Sequence, residues 1–129
     1  MAERQRIFSG SRYEDMAGYA RAVADGRWVF VSGTVGADYA AGTFADGAEA
    51  QAELAIANIG KALGEAGSRL EDVVRVRVII PDPADVAAVS EVMRRHFHAI
   101  RPANTTFCAP LTFPEMKVEI EVTALKPEN

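Results

Sequence analysis

The stretch Val73-Val74-Arg75-Val76-Arg77-Val78-Ile79-Ile80-Pro81-Asp82-Pro83 decides the fold. Its first eight residues are rich in β-branched side chains, which predicts a strand over 73–80. Alternation puts Val74, Val76, Val78 and Ile80 on one face, and Val73, Arg75, Arg77 and Ile79 on the other. Pro81 ends the strand. Asp82 followed by Pro83 is an N-cap and first-turn pair, so a helix opens there. Val86, Val89, Met93, His96, Phe97 and Ile100 give that helix its apolar stripe.

Upstream, Asp46 reads as an N-cap with Glu49 three residues on, in capping-box fashion. The helix it opens is predicted over 47–66 and stops at Gly67. Ala48, Ala52, Ala55, Ile56, Ile59, Leu63 and Ala66 form its stripe, and Gly60 and Gly64 beside it read as sites of close packing. Earlier still, residues 19–24 and 27–32 flank Asp25-Gly26, a pair suited to a tight hairpin turn. Downstream, 104–109 and 117–124 supply two more strands. In the last one Val118, Ile120 and Val122 face opposite to Lys117, Glu119, Glu121 and Thr123. The order is hairpin, helix, strand, helix, two strands. This is an α+β fold, one domain over 1–129, with two helices on one face of a mixed sheet. The other face carries Val73 and Ile79 and has no helix of its own, so a partner subunit is expected to cover it.

Composition narrows the function. The chain has 129 residues, 49% hydrophobic and 25% charged, with a net charge of −4. That balance belongs to a soluble globular protein and excludes intrinsic disorder. No basic run goes beyond Arg94-Arg95, so nucleic acid is not an expected partner. Cys108 is the only cysteine, which excludes an internal disulfide and a thiolate metal cage; on a predicted strand it reads as a small buried hydrophobe. The N-terminus mixes both charge signs, and no apolar stretch is long enough to span a membrane, so a cytoplasmic location is expected. Gly33, Gly36, Gly42 and Gly47 match neither a P-loop nor a dinucleotide fingerprint. His96 and His98 lie two apart on a helix and cannot share a metal ion. His96 reads as a satisfied core or interface residue, and His98 as solvent-facing. Glu119 and Glu121 fall on the helix-free face, where Arg77 or Arg75 is expected to pair with Glu121 across strands. Partial burial of one of these carboxylates would raise its pKa unless a cation stood near.

Several motifs occur together in order: Gly18-Tyr19, Trp28-Val29-Phe30-Val31-Ser32-Gly33, Asn58-Ile59, the run from Leu63 to Gly67, Leu70-Glu71-Asp72-Val73-Val74-Arg75, Pro102-Ala103, and Lys117-Val118-Glu119-Ile120-Glu121. With them the chain resembles the RidA/YjgF group, also labelled endoribonuclease L-PSP. The resemblance implies a fold similar to chorismate mutase, assembled as a homotrimer with clefts between subunits. It implies hydrolysis of reactive imines and enamines to a keto acid and ammonia, with no metal and no organic cofactor. Tyr19 and Ser32 match a tyrosine and a serine that line the cleft, and Glu119 matches a glutamate that positions the attacking water. Glu119 and Ser32 are therefore the candidate catalytic residues, with Tyr19, Asn104, Thr106 and Arg77 as ligand contacts. The chain departs from the family at three of its positions. Asn104 stands where deaminase members carry a carboxylate-binding arginine, Thr34 where many carry glutamine, and Thr106 where cysteine is common. An amide offers only neutral hydrogen bonds in place of a charged bidentate clamp. Poor turnover of 2-imino acids is expected, with a preference for small metabolites uncharged at the reacting end, and Arg77 is the candidate replacement cation. A non-catalytic ligand-binding trimer is the second reading. RNA cleavage or translation inhibition, the third, finds neither a paired-histidine site nor a basic groove.

Overall fold

The computed structural model describes residues 4–128. Its elements are β1 (Gln5–Ile7), α1 (Arg12–Ala17), β2 (Ala22–Asp25), β3 (Trp28–Val35), β4 (Ala37–Asp38), β5 (Thr43–Phe44), α2 (Ala48–Glu65), β6 (Val73–Ile79), α3 (Val86–Phe97), β7 (Ala103–Phe107) and β8 (Glu119–Leu125). The main sheet runs β1-β2-β3-β8-β6-β7, and β4 and β5 form a separate ribbon. Neighbouring strands of the main sheet are antiparallel except β6 and β7, which are parallel. A parallel pair needs a crossover, and α3 supplies it. The chain is the mixed-sheet α+β domain its residue pattern predicts, with a short third helix added.

One hydrophobic core lies between the sheet and the pair α2 and α3. All seven residues of the α2 stripe are buried, and Ile59 and Leu63 are fully so. Each such side chain stabilises by about 1.5–3 kcal/mol relative to exposure. Val89, Val92, Met93 and Phe97 do the same for α3. The C-terminus of α2 closes as expected: Gly67 takes φ 78, Ser68 N–H donates to the Leu63 carbonyl, and Gly67 N–H to that of Gly64. Asp82 accepts from Ala84 N–H at 3.0 Å and starts a short 3-10 turn that leads into α3.

Several local expectations are corrected. The N-cap of α2 is Gly47 at φ 89 with no side-chain cap, so Asp46 lies outside the helix and no capping box forms. The hairpin's first arm is paired only from Ala22, because Ala17 to Gly18 end a helix and turn the chain. A register shift between Val73 and Arg75 inserts one residue into β6. This bulge turns Val73 into the core at 3% exposure and leaves Val74 exposed, the reverse of strict alternation. A Cβ at Gly60 or Gly64 would meet nothing within 4 Å, so neither glycine serves close packing. Strand β7 ends at Phe107, and Cys108 beyond it is exposed rather than buried. His96 bonds Glu53 at 2.5 Å between α3 and α2, and His98 is exposed. On the helix-free face Trp28 stacks on Phe30 and both are exposed, Ile79 is half-buried, and Arg77 pairs with Glu121 at 2.9 Å.

Candidate active site

Strand β3 carries a second irregularity, a register shift between Val31 and Thr34 against β8. Beyond it, Thr34 pairs with Ile120 on the core side and Val35 with Glu119 on the other. Glu119 thus leaves the sheet on the face away from α2 and α3. There it borders a cavity of about 690 Å³ walled by Tyr13, Tyr19, Tyr39, Phe44, Phe113 and Met116. A Cβ on Gly33 would stand 2.6 Å from Glu119 Oε2. Glycine at 33 is what lets the carboxylate lie against the β3 backbone. Burial pushes the Glu119 pKa up, Glu121 adds to the rise, and Arg21 opposes it. Tyr39 is also raised, chiefly by burial, and its hydroxyl accepts the Val35 N–H at 2.9 Å.

Beneath the cavity lies a buried ion pair. Arg21 Nε meets Glu14 Oε2 at 3.1 Å, and each residue is 3% exposed. Arg21 Nη1 donates to the Gly33 carbonyl at 2.7 Å and to Thr34 Oγ1 at 3.3 Å. The Ser9 hydroxyl and Ser9 N–H both donate to Glu14. The guanidinium lies over the Tyr39 ring at 4.5 Å and the Tyr19 ring at 5.7 Å. Burying two charges is tolerated here because each is paired and further hydrogen-bonded. Sequence reasoning missed this pair; its one signal was a lone charge inside the small apolar run Tyr19-Ala20-Arg21-Ala22-Val23-Ala24.

Tyr19 and Glu119 share the cavity wall. The Ser32 hydroxyl donates to the Ala20 carbonyl at 2.7 Å, which ties the Tyr19 loop to β3. Thr34, fully buried, donates to the Ser32 carbonyl and joins the cradle of Arg21. Asn104 and Thr106 lie elsewhere. They are in register with the core residues Val76 and Val78, hence on the helix side of the sheet. There they line a groove of about 300 Å³ with Ser90, Arg94, His98 and Arg101. Thr106 Oγ1 donates to Asn104 Oδ1 at 2.7 Å, leaving the amide N–H groups as the free donors. Arg77 stands on the opposite face from Asn104, bound to Glu121 and 5.9 Å from the Phe107 ring. Within this chain, then, Tyr19 and Glu119 line one cavity, while Asn104 and Thr106 are on the far side of the sheet. Among the described residues no cluster of three or more His, Cys, Asp or Glu could hold a metal ion, and no helix is long and apolar enough to cross a membrane.

The family model described as endoribonuclease L-PSP matches residues 9–126. The chain belongs to that family. A goat relative named 2-iminobutanoate/2-iminopropanoate deaminase is 32% identical over 95% of this chain and 90% of its own. A Mycobacterium tuberculosis member of the YjgF/YER057c/UK114 family superposes with a TM-score of 0.88, at 38% identity over 95% of this chain and 99% of that one. The RidA protein of an Antarctic Psychrobacter superposes at 0.78, with 32% identity over 83% and 87%. Family membership and the RidA/YjgF fold are thereby shown for this chain.

Proposed function

We propose that the chain hydrolyses the C–N bond of a small imine or enamine at Glu119, without metal or organic cofactor, in a cleft completed by a neighbouring subunit of a homotrimer. The observation that carries this reading is the Glu119 carboxylate, half-buried on Gly33 at the edge of a tyrosine-walled cavity. The goat relative's name supports the reaction class. In the proposed reaction a water held by Glu119 adds to the imine carbon. The carboxylate takes the water's proton as the C–O bond forms and passes it to the substrate nitrogen. The carbinolamine then collapses: Glu119 takes its hydroxyl proton and passes it to the nitrogen, the C–N bond breaks, and the products are a carbonyl compound and ammonia. A carboxylate with a raised pKa is a better proton acceptor near neutral pH than an ordinary one.

Ser32 acts in this reading by fixing the Tyr19 loop, since its proton is already given to Ala20. Asn104 and Thr106 reach a ligand only from a second protomer, and an assembly with clefts between subunits gives them that position. The deciding assay is ammonia release from imines generated in situ, both 2-iminobutanoate and uncharged analogues. We expect turnover of the uncharged analogues, and Glu119→Gln should reduce it by about a hundredfold or more. Undiminished turnover in Glu119→Gln would refute the assignment. Ligand binding without any ammonia release would establish the non-catalytic reading instead.

A further inference from the structure

Arg21 is the cavity residue that the reaction above leaves without a role. It is 3% exposed and yet borders the cavity. Its Nε is taken by Glu14, and its Nη1 by Gly33 and Thr34. Among the described residues, Nη2 has no protein acceptor. It is not sealed off either, since among the described residues every fully buried side-chain nitrogen has a partner. A guanidinium fixed at its other nitrogens gives up little freedom when that last donor is used.

Charge decides what the donor can hold. Glu14 pairs with Arg21 from behind, so the free N–H carries less charge than an unpaired guanidinium would. Glu119 borders the same cavity, and the other two charged residues that line it, Arg12 and Asp38, are one of each sign. Among the residues of this chain that line the cavity, an anionic ligand would therefore meet Glu119 with no surplus of positive charge to offset it, whereas a neutral oxygen needs none. Tyr19 and Tyr39 flank the guanidinium and offer flat apolar surface to the rest of such a molecule.

We propose that the Arg21 Nη2 N–H binds an uncharged carbonyl oxygen, so that the Glu119 cavity selects neutral carboxamide- or ester-type ligands over the corresponding carboxylates. This rests on the Glu119 cavity being the ligand site. The C–N bond acted on would then stand close to a neutral carbonyl group.

Pyruvamide and pyruvate test it, because they match in size and differ in charge. At about pH 8, wild type should bind pyruvamide about tenfold or more tighter than pyruvate. Arg21→Gln should weaken pyruvamide by about tenfold. Glu14→Gln exposes the Arg21 charge and Glu119→Gln removes the opposing one, so each should move the preference towards pyruvate. The preference is a ratio taken on one sample, and a partly unfolded preparation leaves it unchanged. Pyruvate bound as tightly as pyruvamide, no pyruvamide binding, or a ratio untouched by both glutamate variants would overturn the proposal. If ammonia release fails while the ratio behaves as expected, catalysis at Glu119 is refuted and the carbonyl site stands. If ammonia is released but the ratio is flat, the reverse holds.

Discussion

Glu119 is a carboxylate placed where its charge is unwelcome. Burial and Glu121 both favour its protonated form, and only Arg21 opposes them. Its folded-state pKa lies above the unfolded value, so the folded chain binds the proton more tightly. The associated stability is complete below the unfolded pKa of about 4.3 and is lost as pH rises through the folded value. Glu119→Gln removes the charge at constant shape. It should melt above wild type at about pH 8 and converge with it below about pH 4. Thermal melts across that range check this, and a wild type that stays the more stable at high pH would contradict it. The carboxylate is half in water, so the difference will be small. Its place in the sequence was legible from alternation on the last strand, together with the family motif. The Arg21–Glu14 pair was not, because the two residues stand seven apart across a turn and share no periodic pattern.

At the scale of elements, regular pattern was readable and irregular pattern was not. The long helices and β6 declared themselves through apolar stripes and β-branched runs that the core then buried. Strands β1 and β5 and helix α1 are too short to repeat any period. The bulges in β3 and β6 depend on pairing with β8, a partner far along the chain, and so left no local mark. The start of α2 departs from the pattern for a related reason: Gly47, at φ 89, takes the cap position that the spacing Asp46-x-x-Glu49 predicts for Asp46. Gly64 carries a prediction at this scale. It lies in α2 with helical backbone and open space where a Cβ would go. Gly64→Ala should stabilise the fold by about 0.5–1 kcal/mol through helix propensity and a less flexible unfolded chain. Chemical denaturation that shows no gain would contradict this.

For the whole molecule, the layered architecture was visible from element order alone, while the division of the candidate site was not. Asn104 and Glu119 are only fifteen positions apart, yet strand register sends their side chains to opposite sides of the sheet. No pattern within one strand reveals that β6 and β7 run parallel. The proposed trimer would have to cover the exposed aromatic face and bring Asn104 and Thr106 to the Glu119 cavity. Light scattering at micromolar concentration should return three chain masses; a monomer would leave the Glu119 cavity without Asn104 and Thr106. The Trp28–Phe30 stack gives that experiment an optical counterpart. Trp28 is the chain's one tryptophan, and it stands on the helix-free face at 45% exposure. All indole fluorescence from the protein therefore originates at a single known spot. Its emission colour reports whether that spot is wet or dry, and a dilution series read at one wavelength would follow dissociation of the proposed trimer with no label attached.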